Sequence, residues 1–247
     1  MNKKKILNII YENFKTITGA LLIALLIRSL MFQPFYIPSS SMEPNLLIGD
    51  RIFVSKYTYG FSKHSFPFSP NIINKRFFYT QPTQGDLVVF KTPADNRTDY
   101  IKRLIGLPGD EIQFIEGIIY INSKKIIRKK IDNKNKKVRC GKFTLEVDTY
   151  LETLPNGSQH IAAYSKVGSM KNTKSFKVPK NHFFFLGDNR DCSRDSRYLD
   201  SVGYVSSMNL VGKAQIIFFS NDTVKGSMFK IWNLGNSFRI ERIFKKL

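Results

Sequence analysis

The sequence is poor in the residue types that build most metal and redox sites. It contains two cysteines, Cys140 and Cys192, and three histidines, and it has neither a CxxC nor an HExxH motif. The histidines (His64, His160 and His182) are too scattered in the chain to indicate a metal site, so we expect neither a metal nor another cofactor. Two cysteines are compatible with one disulfide or with none, and their number alone does not indicate a redox compartment.

Acidic residues are also scarce, because 19 Asp and Glu stand against 39 Lys and Arg and leave a formal net charge of +20. A field of this sign favours polyanionic partners, either nucleic acid or the anionic surface of a bilayer. Nine of the sixteen residues at 124–139 are Lys or Arg, against one acid, Asp132. For this basic run we expect a solvated loop.

Long amphipathic helical patterns are absent after residue 40. Short apolar runs alternate there with turn signals, as at 86–91, 111–115, 118–122 and 214–219. The 13% of aromatic residues and the many Ile and Val favour strands. The Glu116-Gly117 and Asn156-Gly157 pairs are typical of hairpin turns. We predict a mainly β fold after the N-terminal segment.

The segment at 110–178 differs from its surroundings. It is rich in hairpin signals and lysine, but it carries none of the reactive residues discussed below. We therefore predict that it is a β subdomain inserted into one larger β domain, which residues 34–109 and 179–247 form together.

One run is apolar enough to cross a membrane. Residues 17–32 (ITGALLIALLIRSLMF) are interrupted only by Thr18, Arg28 and Ser29. A helix needs about 20 residues to cross a hydrocarbon core of about 30 Å, so the span must use both flanks, with Arg28 reaching towards one interface. The helix should end before Pro34, which lacks an amide proton and disfavours helix in the residue before it. We predict a transmembrane anchor at 16–33.

A cleaved secretory signal is the alternative, since Lys3, Lys4 and Lys5 form a basic n-region. No small-x-small cleavage site follows the apolar run, so we expect an uncleaved anchor. The basic residues before the span, which include Lys15, predict that residues 1–15 are cytoplasmic and that the rest of the chain lies across the membrane. This topology favours the bilayer over nucleic acid as the polyanion.

Three segments carry reactive side chains. The first, PSSSMEP at 38–44, is on its own typical of a turn. The second, YIKRLIG at 100–106, places Lys102 among apolar neighbours, and in a strand Arg103 would point to the opposite face. The third, GDNRDCSRDSR at 187–197, crowds paired charges and small hydroxyls at the end of a predicted strand.

Lys102 can act as a base only if burial lowers its pKa. A free lysine has a pKa near 10.4 and is almost wholly charged at neutral pH. Desolvation destabilises the ammonium and can lower the pKa by up to about 3 to 5 units. A pKa of about 8 requires roughly 3 kcal/mol of differential desolvation, which a buried site can supply.

Together these segments resemble the type I signal peptidases, the enzymes that remove signal sequences from exported proteins. The similarity covers most of the chain after residue 20, and its motifs are FYIPSSSMEPNLLIGD, GDLVVFK at 85–91, YIKRLIGLPGD, GDNRDCSRDSR and NLVGKA at 209–214. The resemblance implies a long antiparallel core sheet with a second, inserted β domain. It also implies a bacterial inner-membrane enzyme whose N-terminus is cytoplasmic and whose catalytic domain is periplasmic or extracytoplasmic.

The resemblance gives the serines and the lysine their roles. Ser41 matches the nucleophile and Lys102 the general base, while the Ser39 hydroxyl and the Ser41 amide match the oxyanion hole. Ser193 matches the serine that orients the lysine. These roles agree with the chemistry, because a hydroxyl needs an adjacent base, the base needs a third group to aim it, and two donors stabilise a developing oxyanion.

Further positions follow from the same resemblance. Asp195 and Arg197 match a structural ion pair behind the site. This sequence departs from the commonest bacterial pattern at Ser40, which is often glycine, and at Cys192 beside the lysine-orienting serine.

The implied partners are the signal peptides of exported preproteins and the phospholipid membrane, without nucleic acid. Signal peptides end in small-x-small, which the family reads with two shallow apolar pockets. Only small side chains should fit, since an extra methylene in a closed pocket costs about 1 to 3 kcal/mol. The matching substrate-binding positions are Phe35, Ile37, Met42, Leu46, Tyr100 and Ile101.

Three alternatives remain at this point. A Ser-His-Asp enzyme could be built from Ser41, His182 and Asp188, although His182 at the head of a strand fits a structural role better. A self-cleaving repressor would share the Ser/Lys chemistry but would need a DNA-binding helix-turn-helix where this chain has its apolar segment. A non-enzymatic basic scaffold that binds anionic lipid or nucleic acid is the third.

Overall fold

A computed structural model describes residues 3–131, 136–166, 171–222 and 237–247. It begins with one long helix, α1 (Lys3–Leu30), whose segment Leu7–Leu30 is long and apolar enough to cross a membrane. At 1.5 Å per residue these 24 residues extend about 36 Å, enough for a hydrocarbon core of about 30 Å. None of the most apolar stretch is buried against protein, as expected of a lipid-facing helix. The helix starts earlier than the predicted anchor at 16–33 and ends before Pro34, as the proline rule requires.

The rest of the described chain is mainly antiparallel β-sheet, which confirms the predicted fold class. Fifteen strands follow the helix within the described ranges. They are β1 (Phe32–Tyr36), β2 (Asp50–Ser55), β3 (Leu87–Lys91), β4 (Asp99–Gly106), β5 (Glu111–Ile115), β6 (Ile118–Ile121), β7 (Lys124–Lys125), β8 (Ile127–Ile131), β9 (Lys137–Cys140), β10 (Phe143–Thr153), β11 (Gln159–Ser165), β12 (Phe176–Lys177), β13 (His182–Leu186), β14 (Val205–Ser206) and β15 (Leu210–Ser220).

The largest sheet has seven strands in the order β1-β2-β15-β3-β4-β13-β14. Its central strands are almost continuously apolar and buried, as in LVVFK of β3 and HFFFL of β13, because both faces of the sheet are covered there. The sheet pairs residues from both ends of the chain, since β15 lies between β2 and β3. Strand β1 forms one edge, with pairing on its β2 side.

The strands between residues 111 and 177 form two smaller sheets. One has the order β12-β5-β6-β7, and the other consists of β11, β10 and β8 with β9 also paired to β10. A shared core joins the first of these to the large sheet, because Ile105 and Phe184 pack in one cluster with Ile112 and Phe114. The insertion of residues 110–178 as a β subdomain stays a prediction.

Residues 124–131 and 136–139 of the basic run are mainly strand, contrary to our expectation of a loop. Within its described residues it forms β7, β8 and β9, and Ile126 and Val138 are buried. Its lysines remain largely exposed. The alternation of apolar and basic residues suits strands with one solvated face, a pattern that the charge count alone obscured.

Candidate active site

Ser41 lies in the turn that follows the edge strand β1. Ser41 is 7% exposed, and Asn189 makes two hydrogen bonds to the backbone around it. The Asn189 amide donates to the Ser41 carbonyl at 3.1 Å, and its side-chain nitrogen donates to the Ser40 carbonyl at 3.1 Å. The segment at 38–44 is therefore a turn, as its composition indicates, but a turn held rigidly against the 187–197 loop.

Lys102 reaches Ser41 from strand β4. Its Nζ lies 2.5 Å from Ser41 Oγ, and the lysine is only 3% exposed. Burial lowers the pKa of Lys102 to about 8, because the nearby charges of Asp195 and Asp188 only partly offset the desolvation of the ammonium. A substantial fraction of the amine is therefore neutral near pH 8, and it lies within hydrogen-bonding distance of a hydroxyl whose proton it can accept.

Arg103, the next residue on β4, is also buried but has a different environment. Its guanidinium donates to both carboxylate oxygens of Asp188, at 2.8 and 2.7 Å, and to the Gly85 carbonyl at 2.7 Å. Burial alone would raise the pKa of Asp188, but Arg103 outweighs that effect and lowers it. Asp188 in turn accepts from the Asn45 side chain at 2.7 Å, which ties β4 to the turn that holds Ser41.

Two further serines were predicted at the site, and the structure treats them differently. Ser39 Oγ lies 3.3 Å from Ser41 Oγ, so its hydroxyl is beside the candidate nucleophile. Ser193 is buried, but the predicted hydrogen bond to Lys102 is not formed, since Ser193 Oγ has no partner among the described residues within hydrogen-bond limits. Its hydroxyl nevertheless lies near enough to Asp195 to help lower the pKa of that carboxyl.

Gly187 explains how Ser193 comes so close to Ser41. A Cβ built on Gly187 would lie 2.1 Å from Ser193 Oγ and 2.5 Å from the Ser41 carbonyl oxygen, both far too short for any larger residue. The absence of a side chain at this position therefore lets the 187–197 loop pack against the turn that holds Ser41.

The predicted ion pair between Asp195 and Arg197 is present. Arg197 donates to the two Asp195 carboxylate oxygens at 2.8 and 2.9 Å, and the Gly187 amide donates to Asp195 at 3.0 Å. Burial, the largest single effect, would raise the pKa of Asp195, but the charge and hydrogen bonds of Arg197 together with the Gly187 amide and Ser193 lower it. The pair keeps the loop behind Lys102 in one conformation.

Sequence reasoning missed a second buried network around Arg190. Arg190 is 1% exposed and pairs with Glu152 at 2.7 Å, while His160 lies 3.2 Å from the same carboxylate. Arg190 also donates to the Tyr164 hydroxyl at 2.8 Å. These partners come from β10 and β11, so the network joins the 187–197 loop to those two strands. Arg190 stands in a motif we had singled out, but nothing in the sequence marks its partners, which lie 26 to 38 residues away.

Cys140 and Cys192 form a disulfide, the alternative that their number left open. The bond links the end of β9 to the residue directly before Ser193. The amide of the neighbouring Arg139 donates to the carboxylate of Glu43 at 2.7 Å, and Glu43 lies two residues after Ser41. The end of β9 therefore contacts the candidate site on two sides, at Glu43 and at Cys192.

A cavity of about 370 Å³ opens beside Ser41 and Lys102. Four of the six predicted substrate-binding residues line it, namely Phe35, Ile37, Tyr100 and Ile101. Strands β1 and β4 contribute to the same wall although three strands separate them in the sheet, so the sheet must curl. Its walls are mostly apolar, which suits small apolar side chains.

The other two predicted residues do not line this cavity. Met42 and Leu46 are both 0% exposed and pack in the core cluster that also contains Ile37 and Ile52. They support the cavity from below, and a direct contact with substrate stays a prediction for them.

The alternative Ser-His-Asp triad is not assembled. His182 Nδ1 lies 2.9 Å from the Lys180 carbonyl, whereas Asp188 is bound by Arg103 and Asn45. No group of three or more His, Cys, Asp or Glu residues with metal-ligand spacing occurs in the parts of the chain that the structure describes.

Comparison with known proteins points to one family. A family model described as "Signal peptidase, peptidase S26" matches residues 10–219. Signal peptidase I of Rickettsia typhi is 41% identical over 254 residues, which cover 96% of this chain and 93% of the relative. Signal peptidase I of Rickettsia akari is 42% identical over 247 residues, with coverages of 91% and 88%. A solved signal peptidase I from Enterococcus faecalis V583 is 24% identical and covers 54% of this chain and 97% of that chain, but its TM-score of 0.32 is too low to support an argument.

Proposed function

This chain belongs to the signal peptidase family, peptidase S26, and we propose that Ser41 is its nucleophile and Lys102 its general base. As a member of this family it is a serine endopeptidase that removes signal peptides. One observation carries the proposal: a buried lysine, with a pKa lowered to about 8, has its Nζ 2.5 Å from a serine hydroxyl. No charged partner holds the amine in its protonated form, since among the described residues Lys102 takes part in no ion pair.

The dyad works by acyl transfer. Neutral Lys102 accepts the proton of Ser41 as Oγ attacks the scissile carbonyl carbon, and the resulting ammonium then protonates the leaving amine of the mature protein. The signal peptide remains as an ester on Ser41. Lys102, neutral again, takes a proton from water, whose oxygen attacks the ester carbon. The bond to Ser41 Oγ then breaks, the Lys102 ammonium returns its proton to Oγ, and the signal peptide leaves with a free carboxylate.

The oxyanion of each tetrahedral intermediate needs donors close to Ser41. We assign this role to the Ser39 hydroxyl and the Ser41 backbone amide. The 3.3 Å separation of the two serine Oγ atoms supports the assignment, because an oxygen bonded to the attacked carbon would lie within reach of Ser39.

Ser193 is assigned to orient Lys102. Its buried hydroxyl meets the geometric limits of a hydrogen bond with no described residue, and it lies on the loop that packs against the Ser41 turn, which supports the assignment. An unsatisfied buried hydroxyl is costly, so a hydrogen bond to the lysine amine would be favourable.

We assign cleavage after small-x-small to the cavity beside the dyad. Phe35, Ile37 and Ile101 make its walls apolar, and we expect larger residues at the two read positions to be rejected. The edge of β1 that faces away from β2 can accept an extended peptide as an added strand, with side chains alternating into the cavity.

We further propose that the N-terminus of this membrane-anchored chain is cytoplasmic and that Ser41 acts across the membrane. Lys3, Lys4 and Lys5, which precede the apolar segment of α1, support this orientation. Protease added to sealed spheroplasts should digest the domain that follows α1. Full protection of that domain until the membrane is permeabilised would place the site on the wrong side.

A preprotein-processing assay on the full chain tests the dyad. Ser41→Ala and Lys102→Met should each lower kcat by several orders of magnitude, because members of a nucleophile and base pair act as one unit. Lys102→Arg should be equally inactive, since a guanidinium stays protonated. His182→Ala is the matched control and should process normally. Retained processing in Lys102→Met, in protein that is folded, would remove Lys102 from the mechanism.

A further inference from the structure

A second cavity, of about 510 Å³, lies where the last turn of α1 meets the large sheet. We call it the cationic cavity, because four basic side chains and one carboxylate line it. The basic residues are Arg28, Lys56, Lys91 and Arg97, and the carboxylate is Asp99. Its volume falls in the roughly 300–1,000 Å³ range of small-molecule sites.

Most of the positive charge in this cavity is not neutralised by the protein. Asp99 pairs with Lys91 at 2.9 Å, whereas Arg28, Lys56 and Arg97 form no salt bridge with any residue that the structure describes. Lys56 is 2% exposed, and its Nζ donates to the Ser65 carbonyl at 2.6 Å. Burial, followed by the charge of Arg28, lowers the pKa of Lys56 to about 8. An anion in the cavity would offset this cost of burying the ammonium.

His64 supplies a second, independent observation. It is 5% exposed and lines the cavity, and its Nδ1 lies 3.0 Å from Ser69 Oγ. Its Nε2 is buried and has no hydrogen-bond partner among the described residues. If Nδ1 accepts from Ser69, Nε2 carries the proton and is a donor without an acceptor, which a ligand oxygen would satisfy.

The cavity adjoins α1, whose segment Leu7–Leu30 is long and apolar enough to cross a membrane. An apolar groove of about 800 Å³ lies beside it along α1 and shares Arg28 and Gln33 with it. Phe68, on the rim of the cavity, is fully exposed, and Ile72 and Phe78 in the same loop are almost as exposed. Exposed aromatic and apolar side chains next to a membrane helix are typical of segments that insert into the interface.

We propose that the cationic cavity binds the phosphate group of an anionic glycerophospholipid, with an acyl chain of that lipid in the adjoining apolar groove. The three basic side chains without a salt bridge select a phosphodiester that carries net negative charge over a zwitterionic headgroup. The groove selects a lipid over free phosphate. This inference does not depend on the Ser/Lys mechanism.

The position of the site gives it a consequence for substrate binding. Phe35 and Asp99 line both the cationic cavity and the cavity beside Ser41. A lipid bound here would therefore form part of the boundary of the substrate cleft at the membrane.

Native mass spectrometry of the full chain released from detergent micelles tests the proposal. Dioleoyl phosphatidylglycerol should be retained as one molecule per chain, and dioleoyl phosphatidylcholine about tenfold more weakly, because its choline cation would be repelled by the basic side chains that have no salt bridge. Arg28→Gln combined with Arg97→Gln should weaken retention of phosphatidylglycerol by about tenfold or more. Lys129→Gln combined with Lys142→Gln is the matched control, because it removes two exposed charges elsewhere.

His64→Phe separates this site from general charge attraction, since it removes the Nε2 donor without a change in formal net charge. It should weaken retention several-fold, and His182→Phe should not. Equal effects of the two double variants, or no effect of His64→Phe, would overturn the proposal in favour of bulk electrostatics. Displacement of the lipid by millimolar inorganic phosphate would make this a free-phosphate site. If Arg28→Gln combined with Arg97→Gln retains the lipid normally but raises the KM for preprotein, the cavity is a substrate site. This result, like displacement by phosphate, would overturn the proposal.

Discussion

The two sides of strand β4 show how one protein handles two buried cations in opposite ways. Lys102 on one side is 3% exposed and Arg103 on the other is 7% exposed, so burial hardly distinguishes them. Their partners do. Arg103 has both oxygens of Asp188, whereas Lys102 has the neutral hydroxyl of Ser41. A buried lysine without a carboxylate partner loses its proton at a lower pH than a free lysine does.

The choice of residue reinforces the difference. A guanidinium stays protonated in proteins and binds a carboxylate through two parallel hydrogen bonds, while a lysine pKa responds readily to burial. Arginine therefore serves the scaffold here, in the pairs Arg103–Asp188, Arg190–Glu152 and Arg197–Asp195. Lysine stands at the one position next to Ser41 where a neutral base is useful.

The largest effect is expected from the removal of the Arg103 guanidinium. Arg103→Met should lower the free energy of unfolding by about 3 to 5 kcal/mol, because it leaves Asp188 buried without its counterion. Urea denaturation in detergent micelles measures this. Lys166→Met is the matched control; it removes an exposed partner of Glu146 and should change stability by about 0 to 1 kcal/mol. Similar values for the two variants would mean that Arg103 is not a structural ion-pair partner.

A substitution of Ser39 tests the catalytic side of the comparison, where Lys102 meets Ser41. Ser39→Ala should lower kcat by about a hundredfold to a thousandfold, or about 2.7 to 4 kcal/mol, with little change in KM, because its hydroxyl acts mainly as negative charge develops. Single-turnover processing assays resolve the chemical step. Thr at this position should restore part of the loss. A change of less than threefold would return Ser39 to the turn and take it out of the oxyanion hole.

Lys102 should carry a stability cost that Arg103 does not. Its pKa falls from an ordinary 10.5 to about 8 on folding, which corresponds to about 3 kcal/mol. Below pH 8 the folded protein must bury an ammonium, so Lys102→Met should be more stable than the wild type by up to that amount. Between about pH 8 and 10.5 the folded lysine is neutral while the unfolded one is still charged, so the advantage should shrink as pH rises. An advantage that is constant from pH 6 to 10 would contradict the lowered pKa.

Local pattern predicted much of this molecule. The apolar run, the proline after it and the short runs with turn signals led to α1 and to strands such as β3, β5 and β6, because each depends on neighbouring residues. Tertiary contacts escaped prediction. The partners of Arg190 come from other strands, and the bond between Cys140 and Cys192 depends on how the inserted segment folds back.

The candidate site shows the same division. The resemblance pointed to Ser41, Lys102 and Ser39, which the fold brings together. It could not foresee that Met42 and Leu46 lie in the core, because an apolar residue beside a turn fits a pocket wall and a core equally well. Nor could it foresee that Ser193 would have no hydrogen bond to the lysine, since that contact depends on a single rotamer.

The pH dependence of kcat/KM for preprotein processing tests the central claim most directly. If Lys102 must be neutral to accept the Ser41 proton, kcat/KM should rise about tenfold per pH unit below its pKa and level off above it. The account predicts a midpoint near pH 8, the value to which burial lowers the pKa of Lys102. A profile that is flat from pH 6 to 10, with the protein folded and chemistry limiting the rate, would contradict the account.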